Sequence, residues 1–216
     1  MMDAALRATL CDVAADLFRR GLTNGSSGNI SAKLPDGSIL ISPTGTSFGA
    51  LDPARLAHLT PDGAHVSGDL PSKEYPLHTA FYATRARAGA VIHTHSTHIV
   101  ALSMLPGTDA DNLLPPLTPY AIMRLGKVML LPFLRPGDPV MGEAIRALGG
   151  RRAAVVFANH GPVVSADTLS DAANALEELE EAAKLTLLTR GLSPRLLTPA
   201  QVADIVAHFG VEWDTG

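Results

Sequence analysis

Apolar residues recur at helical spacing at the start of the chain and again in its last third. Leu6, Leu10 and Leu17 fall on one face of a predicted helix that ends at Gly21, a residue type that commonly terminates helices. The stretch 168–189 has the same periodicity over a longer run and predicts an amphipathic helix. Its charged run, EELEE, is interpreted as a solvated face. The pattern therefore predicts helices near both ends of the chain.

Between these helices, short apolar runs separated by turn residues predict several strands. The segments NISAKL and SILIS flank the turn Pro35-Asp36-Gly37, and further strands are expected in AGAVIH, KVMLLPF and AAVVFANH. Helices are expected at 72–84, 96–105 and 141–148, a short helix followed by a strand in LDPARLAHLTPDGAHVSGDLP, and a surface loop at 106–120. Because strands and helices mix without a regular βαβ alternation, the pattern favours one α/β domain of residues 1–216 with a mixed or largely antiparallel sheet.

Composition and charge argue against several classes of function. The formal net charge is −4 and no basic run is present, so nucleic acid is not expected as a partner. No apolar run reaches the roughly 20 residues that span a bilayer, and acidic residues near the N-terminus disagree with a secretory signal. Cys11 is the only cysteine, so no internal disulfide is possible and a reducing, cytoplasmic compartment is expected.

Three histidines form the candidate site with the strongest chemical argument. His93 and His95 are separated by one residue where an apolar run ends, and alternate residues of a strand point to the same face. His160 ends a second apolar run and is followed at once by Gly161. Three imidazoles with an open fourth position are typical of a catalytic rather than a structural zinc site. The sequence therefore predicts that these histidines bind a divalent metal, with zinc preferred.

Glu74 and several small polar residues are candidates for the chemistry around that metal. Glu74 follows Ser72 and Lys73 at a predicted helix start, where a carboxylate is either a simple first-turn residue or a proton shuttle beside the metal. His78, one turn later, either supports the site or packs in the core. A phosphate would need local N–H and hydroxyl donors, because the net charge is negative. Three clusters offer them: Ser27-Gly28-Asn29, Pro43-Thr44-Gly45-Thr46 and Ser72-Lys73.

The motifs GNIS, SPTGT, PSKEYPLH, AVIHTHS and ANHG, in this order and spacing, closely resemble those of the class II aldolase/adducin superfamily. The resemblance covers roughly residues 5–190. It implies a three-layer α/β/α fold with a central, mainly antiparallel sheet, and a cyclic homotetramer with sites between subunits. Adducin-like members that lack the metal histidines are structural proteins, whereas this chain has all three histidines.

The resemblance also assigns roles to single residues. His93, His95 and His160 would bind one Zn²⁺ per subunit, although another divalent metal would also suit the chemistry. Glu74 would be the acid/base, and a fourth ligand when substrate is absent. Tyr120 matches a tyrosine that acts as a proton donor in fuculose phosphate aldolase. The substrate phosphate would be held by a set of small and basic residues: Gly28, Asn29, Thr44, Gly45, Ser72 and Lys73.

The run Ser72-Lys73-Glu74, the preceding GDLP and the PGDP at 136–139 look most like the 3-oxo-tetronate 4-phosphate decarboxylase branch. That resemblance implies zinc-dependent decarboxylation of a 3-oxo-tetronate 4-phosphate to dihydroxyacetone phosphate through a metal-stabilised enediolate. Lys73 would bind either the phosphate or the departing carboxylate. Two other enzymes remain alternatives: an aldolase that cleaves a ketose 1-phosphate such as fuculose 1-phosphate, and a dehydratase of the methylthioribulose phosphate type. The expected partner in each case is a small phosphorylated sugar or sugar acid.

Overall fold

The computed structural model describes residues 2–213, and its centre is an eight-stranded sheet. The strands, in chain order, are β1 (Asn29–Lys33), β2 (Ile39–Ile41), β3 (Ala57–Leu59), β4 (His65–Ser67), β5 (Ala90–His93), β6 (Met129–Leu131), β7 (Ala154–Phe157) and β8 (Gly161–Ala166). Their order across the sheet is β4-β3-β2-β1-β5-β8-β7-β6. Neighbouring strands are antiparallel except β6 and β7, which are parallel. The mainly antiparallel sheet expected from the sequence is confirmed.

Helices cover both faces of this sheet. They are α1 (Met2–Arg19), α2 (Tyr75–Thr84), α3 (Thr97–Ser103), α4 (Pro119–Leu125), α5 (Val140–Ala147), α6 (Leu169–Leu188) and α7 (Pro199–Phe209), with a 3-10 turn at Phe48–Ala50. α1, α3 and α6 pack on one face, and α2 and α5 pack on the other. In β5, Ile92 points into the first core and Val91 into the second. The three-layer α/β/α architecture is confirmed. Within the described residues, no helix is both long enough and apolar enough to cross a membrane.

Several turn and helix-cap residues adopt the conformations that the sequence predicts. In the turn between β1 and β2, the Asp36 carboxylate accepts hydrogen bonds from the backbone N–H and the hydroxyl of Ser38. Gly37 adopts a φ of 86°, a conformation that favours glycine. The Thr168 hydroxyl accepts a hydrogen bond from Asp171 N and caps the start of α6. These side chains fix the hairpin beside the candidate site and the start of the longest helix.

The segment 53–67 and three other elements differ from the prediction. In place of a short helix, residues 53–55 form a turn that leads into β3, and the Pro-Asp-Gly turn joins β3 to β4. Ala57 and Leu59 are fully buried and pair with Ile41 and Ile39, so alternation toward the core outweighs the helix propensity of this run. The pattern also did not predict β8, α4 or α7. The two helices begin at prolines, which favour a first helical turn as well as a loop.

Glu180 corrects the interpretation of the EELEE run as a solvated face. Its side chain is buried, and its carboxylate accepts hydrogen bonds from the backbone N–H groups of His98 and Ile99. The same carboxylate lies 2.8 Å from His98 Nδ1. These residues form the first turn of α3, which begins shortly after His95. Glu180 therefore ties the long helix α6 to the segment that carries one of the candidate metal ligands.

Replacement of Glu180 by alanine should destabilise the protein, whereas replacement of its neighbour Glu181 should not. The Glu180→Ala variant leaves the N–H groups at the start of α3 without their acceptor, and we expect a loss of about 1–3 kcal/mol in the free energy of unfolding. The Glu181 side chain is 63% exposed, so Glu181→Ala should change that free energy by less than about 0.5 kcal/mol. Urea unfolding of both variants measures the difference. Equal stabilities would refute the structural role of Glu180.

Candidate metal centre

A strand end and a turn bring the three histidines together. β5 ends at His93, so His95 follows the strand instead of lying on it as predicted. His160 lies in the turn between β7 and β8. A Cβ atom on Gly161 would lie 2.2 Å from the carbonyl oxygen of Thr94, a distance that real Cβ atoms do not adopt. Glycine at position 161 therefore lets the turn with His160 approach the segment that carries the other two histidines.

The three imidazoles face one another at the end of β5. Each offers one ring nitrogen, and these atoms lie within 4.8 Å of one another. The ring centroids are 4.8 to 5.1 Å apart. His93 Nδ1 lies 2.7 Å from the carbonyl oxygen of Pro162, which can only accept, so the proton is on Nδ1. The lone pair of His93 is therefore on Nε2, the ring nitrogen nearest Glu74.

Glu74 completes the cluster from the start of α2. It is the N-cap residue of this helix, and it is buried. Its Oε2 lies 3.5 Å from His93 Nε2, and its Oε1 lies 3.4 Å from His160 Nε2. Ligand atoms around a tetrahedral zinc lie roughly 3.3 Å apart when the bonds to the metal are about 2.0–2.1 Å. The spacing between the carboxylate and the two imidazoles is therefore that of neighbouring ligands.

Several polar atoms of this cluster are buried without a hydrogen-bond partner among the residues that the structure describes. They are Glu74 Oε1, His93 Nε2, His95 Nε2, and His160 Nδ1 and Nε2. An unpaired buried polar group costs about 1–3 kcal/mol, and most such groups in proteins are paired. Imidazole nitrogens and a carboxylate oxygen that converge in this way match the ligands of zinc and other divalent metals. The residues present therefore fit the metal that the resemblance implies.

Burial keeps the three histidines neutral. It is the largest cause that lowers the pKa of His95 and of His160, and it lowers the pKa of His93 well below the ordinary value of 6.5. Neighbouring imidazoles lower the pKa of His93 and His95 further, while Glu74 acts in the opposite direction on His95 and His160. Neutral imidazole is the form that binds a metal, so these ligands need no deprotonation near pH 7.

Asn29, which the resemblance assigns to the phosphate, contacts Glu74. Its Nδ2 donates to Glu74 Oε2 at 2.9 Å, and its Oδ1 lies 2.6 Å from His78 Nε2. On the other side of the ring, His78 Nδ1 lies 2.7 Å from Ser31 Oγ, which also lies 2.7 Å from the Tyr82 hydroxyl. Burial lowers the pKa of His78 to about 3, so this imidazole is neutral as well. His78 is thus both a core residue and a partner of the site.

Three further residues expected to hold the phosphate lie on two adjoining loops beside Glu74. Thr44 and Gly45 are exposed on one loop, and Ser72 is buried on the other. Backbone hydrogen bonds join the loops, including one from Ser72 N to Ser42 O at 3.2 Å. Ser72 Oγ accepts a hydrogen bond from Glu74 N at 3.3 Å. Thr44 N and Ser72 N thus donate to carbonyl oxygens within these loops, and the phosphate site stays a prediction.

Gly28 and Lys73 each lie close to another segment of the chain. A Cβ atom on Gly28 would lie 2.7 Å from the carbonyl oxygen of His93, so Gly28 is required for close packing of the loop before β1 against the metal ligand. Lys73 is exposed, and its aliphatic carbons lie over Gly137, where a Cβ atom would be 3.1 Å from Lys73 Cδ. The SKE run and the PGDP loop, which are far apart in the sequence, are therefore in contact.

Tyr120 lies apart from the cluster within one subunit. It is 58% exposed and lies in the first turn of α4. It lines a cavity of about 440 Å³ with Arg20, Arg124 and several acidic residues of α6, and the lining includes neither Glu74 nor the three histidines. A catalytic role for Tyr120 stays a prediction that depends on how subunits assemble.

The sequence and fold comparisons agree with this geometry. The family model for the class II aldolase and adducin N-terminal domain matches residues 8–187. A 3-oxo-tetronate 4-phosphate decarboxylase from Cupriavidus necator is 46% identical over 215 residues, which cover 98% of this chain and 99% of the relative. L-fuculose phosphate aldolase from Escherichia coli is 29% identical over 208 residues, 94% of each chain.

A solved structure with a similar fold is YgbL from Escherichia coli, whose description leaves its reaction open among aldolase, epimerase and decarboxylase. It superposes with a TM-score of 0.93 at 43% identity and covers 95% of this chain and 99% of its own. The agreement of sequence, fold and candidate ligands leads to one assignment. The chain is an enzyme of the lyase class and belongs to the class II aldolase and adducin N-terminal domain family.

Proposed function

We propose that this enzyme decarboxylates a 3-oxo-tetronate 4-phosphate to dihydroxyacetone phosphate and CO₂, with zinc as its metal. The observation that carries the proposal is the buried Glu74 carboxylate, whose oxygens lie 3.5 and 3.4 Å from unpaired nitrogens of His93 and His160 in the three-histidine cluster. The choice among reactions is supported by identities of 42–46% to several proteins named 3-oxo-tetronate 4-phosphate decarboxylase, against 28–29% to those named L-fuculose phosphate aldolase.

The substrate is a β-keto acid, and its chemistry defines what the site must supply. It carries a carboxylate at C1, a hydroxyl at C2, a ketone at C3 and a phosphate at C4. When the C1–C2 bond breaks and CO₂ leaves, the bonding electrons form a C2–C3 double bond and negative charge moves to the C3 oxygen, which gives an enediolate. A proton added at C2 then yields dihydroxyacetone phosphate. The site therefore needs a stabiliser of that charge and a proton donor at C2.

Three histidines and one carboxylate meet the first need through a metal. His93, His95 and His160 would hold it, with Glu74 as a fourth ligand before substrate binds. A bound divalent cation supplies a Lewis acid that stabilises negative charge on the substrate oxygens. Zinc is preferred because imidazole suits it and three histidines with an open position are typical of its catalytic sites. Other divalent metals that accept the same ligands also fit.

Glu74 meets the second need. In its protonated form it would deliver the proton to C2 of the enediolate. The resulting carboxylate would take up a proton from solvent before the next cycle, because the overall reaction consumes one proton. Support comes from the unpaired Oε1, which faces the histidines, while Oε2 is held by Asn29. One oxygen is thus fixed and the other is available to a reacting group. Oε2 can therefore hold the carboxylate in place while Oε1 carries the proton.

The phosphate and the leaving carboxylate would bind on the loops around Glu74. Backbone N–H groups and hydroxyls near Gly28, Thr44, Gly45 and Ser72 are suited to hold the phosphate. Lys73 would bind either the phosphate or the carboxylate before CO₂ leaves. The homotetramer, the cytoplasmic location, and the proton-donor role of Tyr120 remain predictions.

An aldolase acting on a ketose 1-phosphate such as fuculose 1-phosphate is the main alternative. Retro-aldol cleavage produces the same enediolate, so the same metal ligands and the same glutamate would serve it. A dehydratase of the methylthioribulose phosphate type would also use them. The substrate that releases product therefore decides between these functions.

The first test is a coupled assay of the zinc-loaded enzyme that measures formation of dihydroxyacetone phosphate. We expect product from a 3-oxo-tetronate 4-phosphate, together with CO₂, and none from fuculose 1-phosphate. Glu74→Gln should lower kcat by about 10²–10⁴-fold, because general acid catalysis contributes that much. Glu181→Gln, at an exposed position, is the matched control. Product from the sugar phosphate alone, with an aldehyde, would assign the chain to the aldolases.

The pH dependence of zinc binding tests the ligand set. Protons compete with the metal only when the pH falls below the pKa of a ligand, and the pKa of each histidine ligand lies below its ordinary value of 6.5. Zinc affinity of the metal-free protein should therefore change little as the pH is lowered through 6.5, and should fall only in more acidic solution. Calorimetric titrations at successive pH values measure this. A fall centred on pH 6.5 would contradict it, and His95→Ala should bind no stoichiometric zinc at any pH.

The contact between Lys73 and Gly137 allows a test of the role of Lys73. In Gly137→Ala the new methyl group would displace the lysine stem, and we expect kcat/KM for the oxo acid to fall roughly tenfold, because small misplacements near the substrate are costly. Gly107→Ala is the matched control, since Gly107 has a φ of 77° against 81° for Gly137 but nothing within 4 Å. In a Lys73→Ala background, Gly137→Ala should have little further effect. An equal loss in that background would exclude a role for the contact.

A further inference from the structure

We propose that His78 is a positioning residue that holds the Glu74 carboxylate in its reactive orientation through the amide of Asn29. The inference rests on the proposed role of Glu74 as the proton donor, and it adds a residue that the motifs do not assign. Its basis is a chain of four short hydrogen bonds that begins at Glu74 and ends at Tyr82. His78 stands in the middle of that chain.

The direction of each hydrogen bond follows from the carboxylate at one end. A carboxylate only accepts, so the Asn29 atom at 2.9 Å from Glu74 Oε2 is the NH₂ group. The Asn29 oxygen must then face His78, and because an amide oxygen also only accepts, His78 Nε2 carries the proton. His78 Nδ1 is left as an acceptor for the Ser31 hydroxyl. The Ser31 oxygen in turn accepts from the Tyr82 hydroxyl.

The N–H group of His78 stabilises the orientation of the amide that the carboxylate requires. If the Asn29 amide rotated by half a turn, its oxygen would face the Glu74 carboxylate and its NH₂ group would face the N–H of His78. Two acceptors would then oppose each other on one side and two donors on the other. Asn29 is 2% exposed, and Ser31 and His78 are fully buried, so water would not relieve these contacts. A hydrogen-bond donor at position 78 therefore keeps the Asn29 donor aimed at Glu74.

The fold presents these residues in two rows that face each other. Glu74, His78 and Tyr82 are spaced four residues apart and lie on one face of α2, beginning at its N-cap. Asn29 and Ser31 are alternate residues of β1 and lie on one face of that strand. Each strand residue bridges two members of the helical row. The pairing of the two rows fixes Glu74 at both the backbone and the carboxylate.

The chain positions Glu74 and does not conduct protons. A proton path would have to pass through the Asn29 amide, which has donors and an acceptor but no group that titrates near neutral pH. His78 therefore acts on the reaction only through the place and direction of Glu74. Its loss should affect turnover more than substrate binding, because the proposed phosphate donors at Thr44, Gly45 and Ser72 lie on loops that His78 does not contact.

Two substitutions distinguish the role of Nε2 in the His78 ring from the role of Nδ1. The amide nitrogen of glutamine falls close to where Nε2 of histidine stands, whereas the shorter asparagine reaches only the position of Nδ1. His78→Gln therefore keeps a donor for Asn29, and His78→Asn does not, although both place an amide in the same buried position. We expect kcat of His78→Asn to fall about 10–100-fold with KM nearly unchanged, and His78→Gln to recover most of that loss. Zinc content and thermal unfolding should be alike in the two variants.

A double-mutant cycle tests whether the effect passes through Asn29. In an Asn29→Ala background, His78→Asn should cause little further loss of kcat, because the link is already broken. An equal loss of kcat in His78→Gln, or losses that multiply in the double variant, would overturn the inference.

Crystal structures of the variants separate this inference from the proposed function. In His78→Asn we expect the Glu74 carboxylate to turn away from its position between His93 and His160. A displaced carboxylate with unchanged turnover would support the positioning role of His78 and refute the proton-donor role of Glu74. An undisplaced carboxylate would overturn the positioning role, whatever the activity.

Discussion

The structure depends on one unfavourable arrangement that the chain alone does not relieve. A buried carboxylate and three neutral imidazoles direct unpaired atoms at one another, with Glu74 oxygens 3.4 and 3.5 Å from two ring nitrogens. The contact between the carboxylate and the lone pair of His93 Nε2 is repulsive, and burial limits the hydration of these groups. A divalent cation held by His93, His95, His160 and Glu74 would replace this repulsion with attraction to each of them. The metal-free fold therefore already brings the candidate metal ligands together.

Glycines make that arrangement sterically possible. Gly28 and Gly161 lie on opposite sides of the segment from His93 to His95, and a side chain at either position would collide with its backbone carbonyl oxygens. The antiparallel register places Asn29 opposite His93 on one side and Val163 opposite His93 on the other. β5 is therefore held between β1 and β8, and the ligands that follow its end have little freedom to separate. The sheet therefore positions the segment that carries His93 and His95.

The sequence predicted what depends on local pattern and missed what depends on distant partners. His93, His95, His160 and Glu74 were recognisable because residue type, spacing and motif agree at each position. The capping role of Glu180 was not, because its partners on α3 lie 81 and 82 residues away and the surrounding run is acidic. The link from His78 to Asn29 spans 49 residues and needs the pairing of α2 with β1. No local pattern distinguishes such partners from ordinary surface or core residues.

The same reasoning indicates where enzymes of this family should differ. A decarboxylase and an aldolase of the proposed type form the same enediolate, so the metal ligands and the proton donor need not change between them. The reactions differ in the group that leaves the carbon next to the ketone, which departs as CO₂ in one case and as an aldehyde in the other. A cation near the leaving group favours binding of the carboxylate and is unnecessary for the aldehyde. Lys73, supported by Gly137 on a separate loop, is placed outside the metal cluster and can vary without disturbing it. The contact between the loops of Lys73 and Gly137 would then determine which substrate reacts. The metal site at the end of β5 would supply the enediolate chemistry that both reactions share.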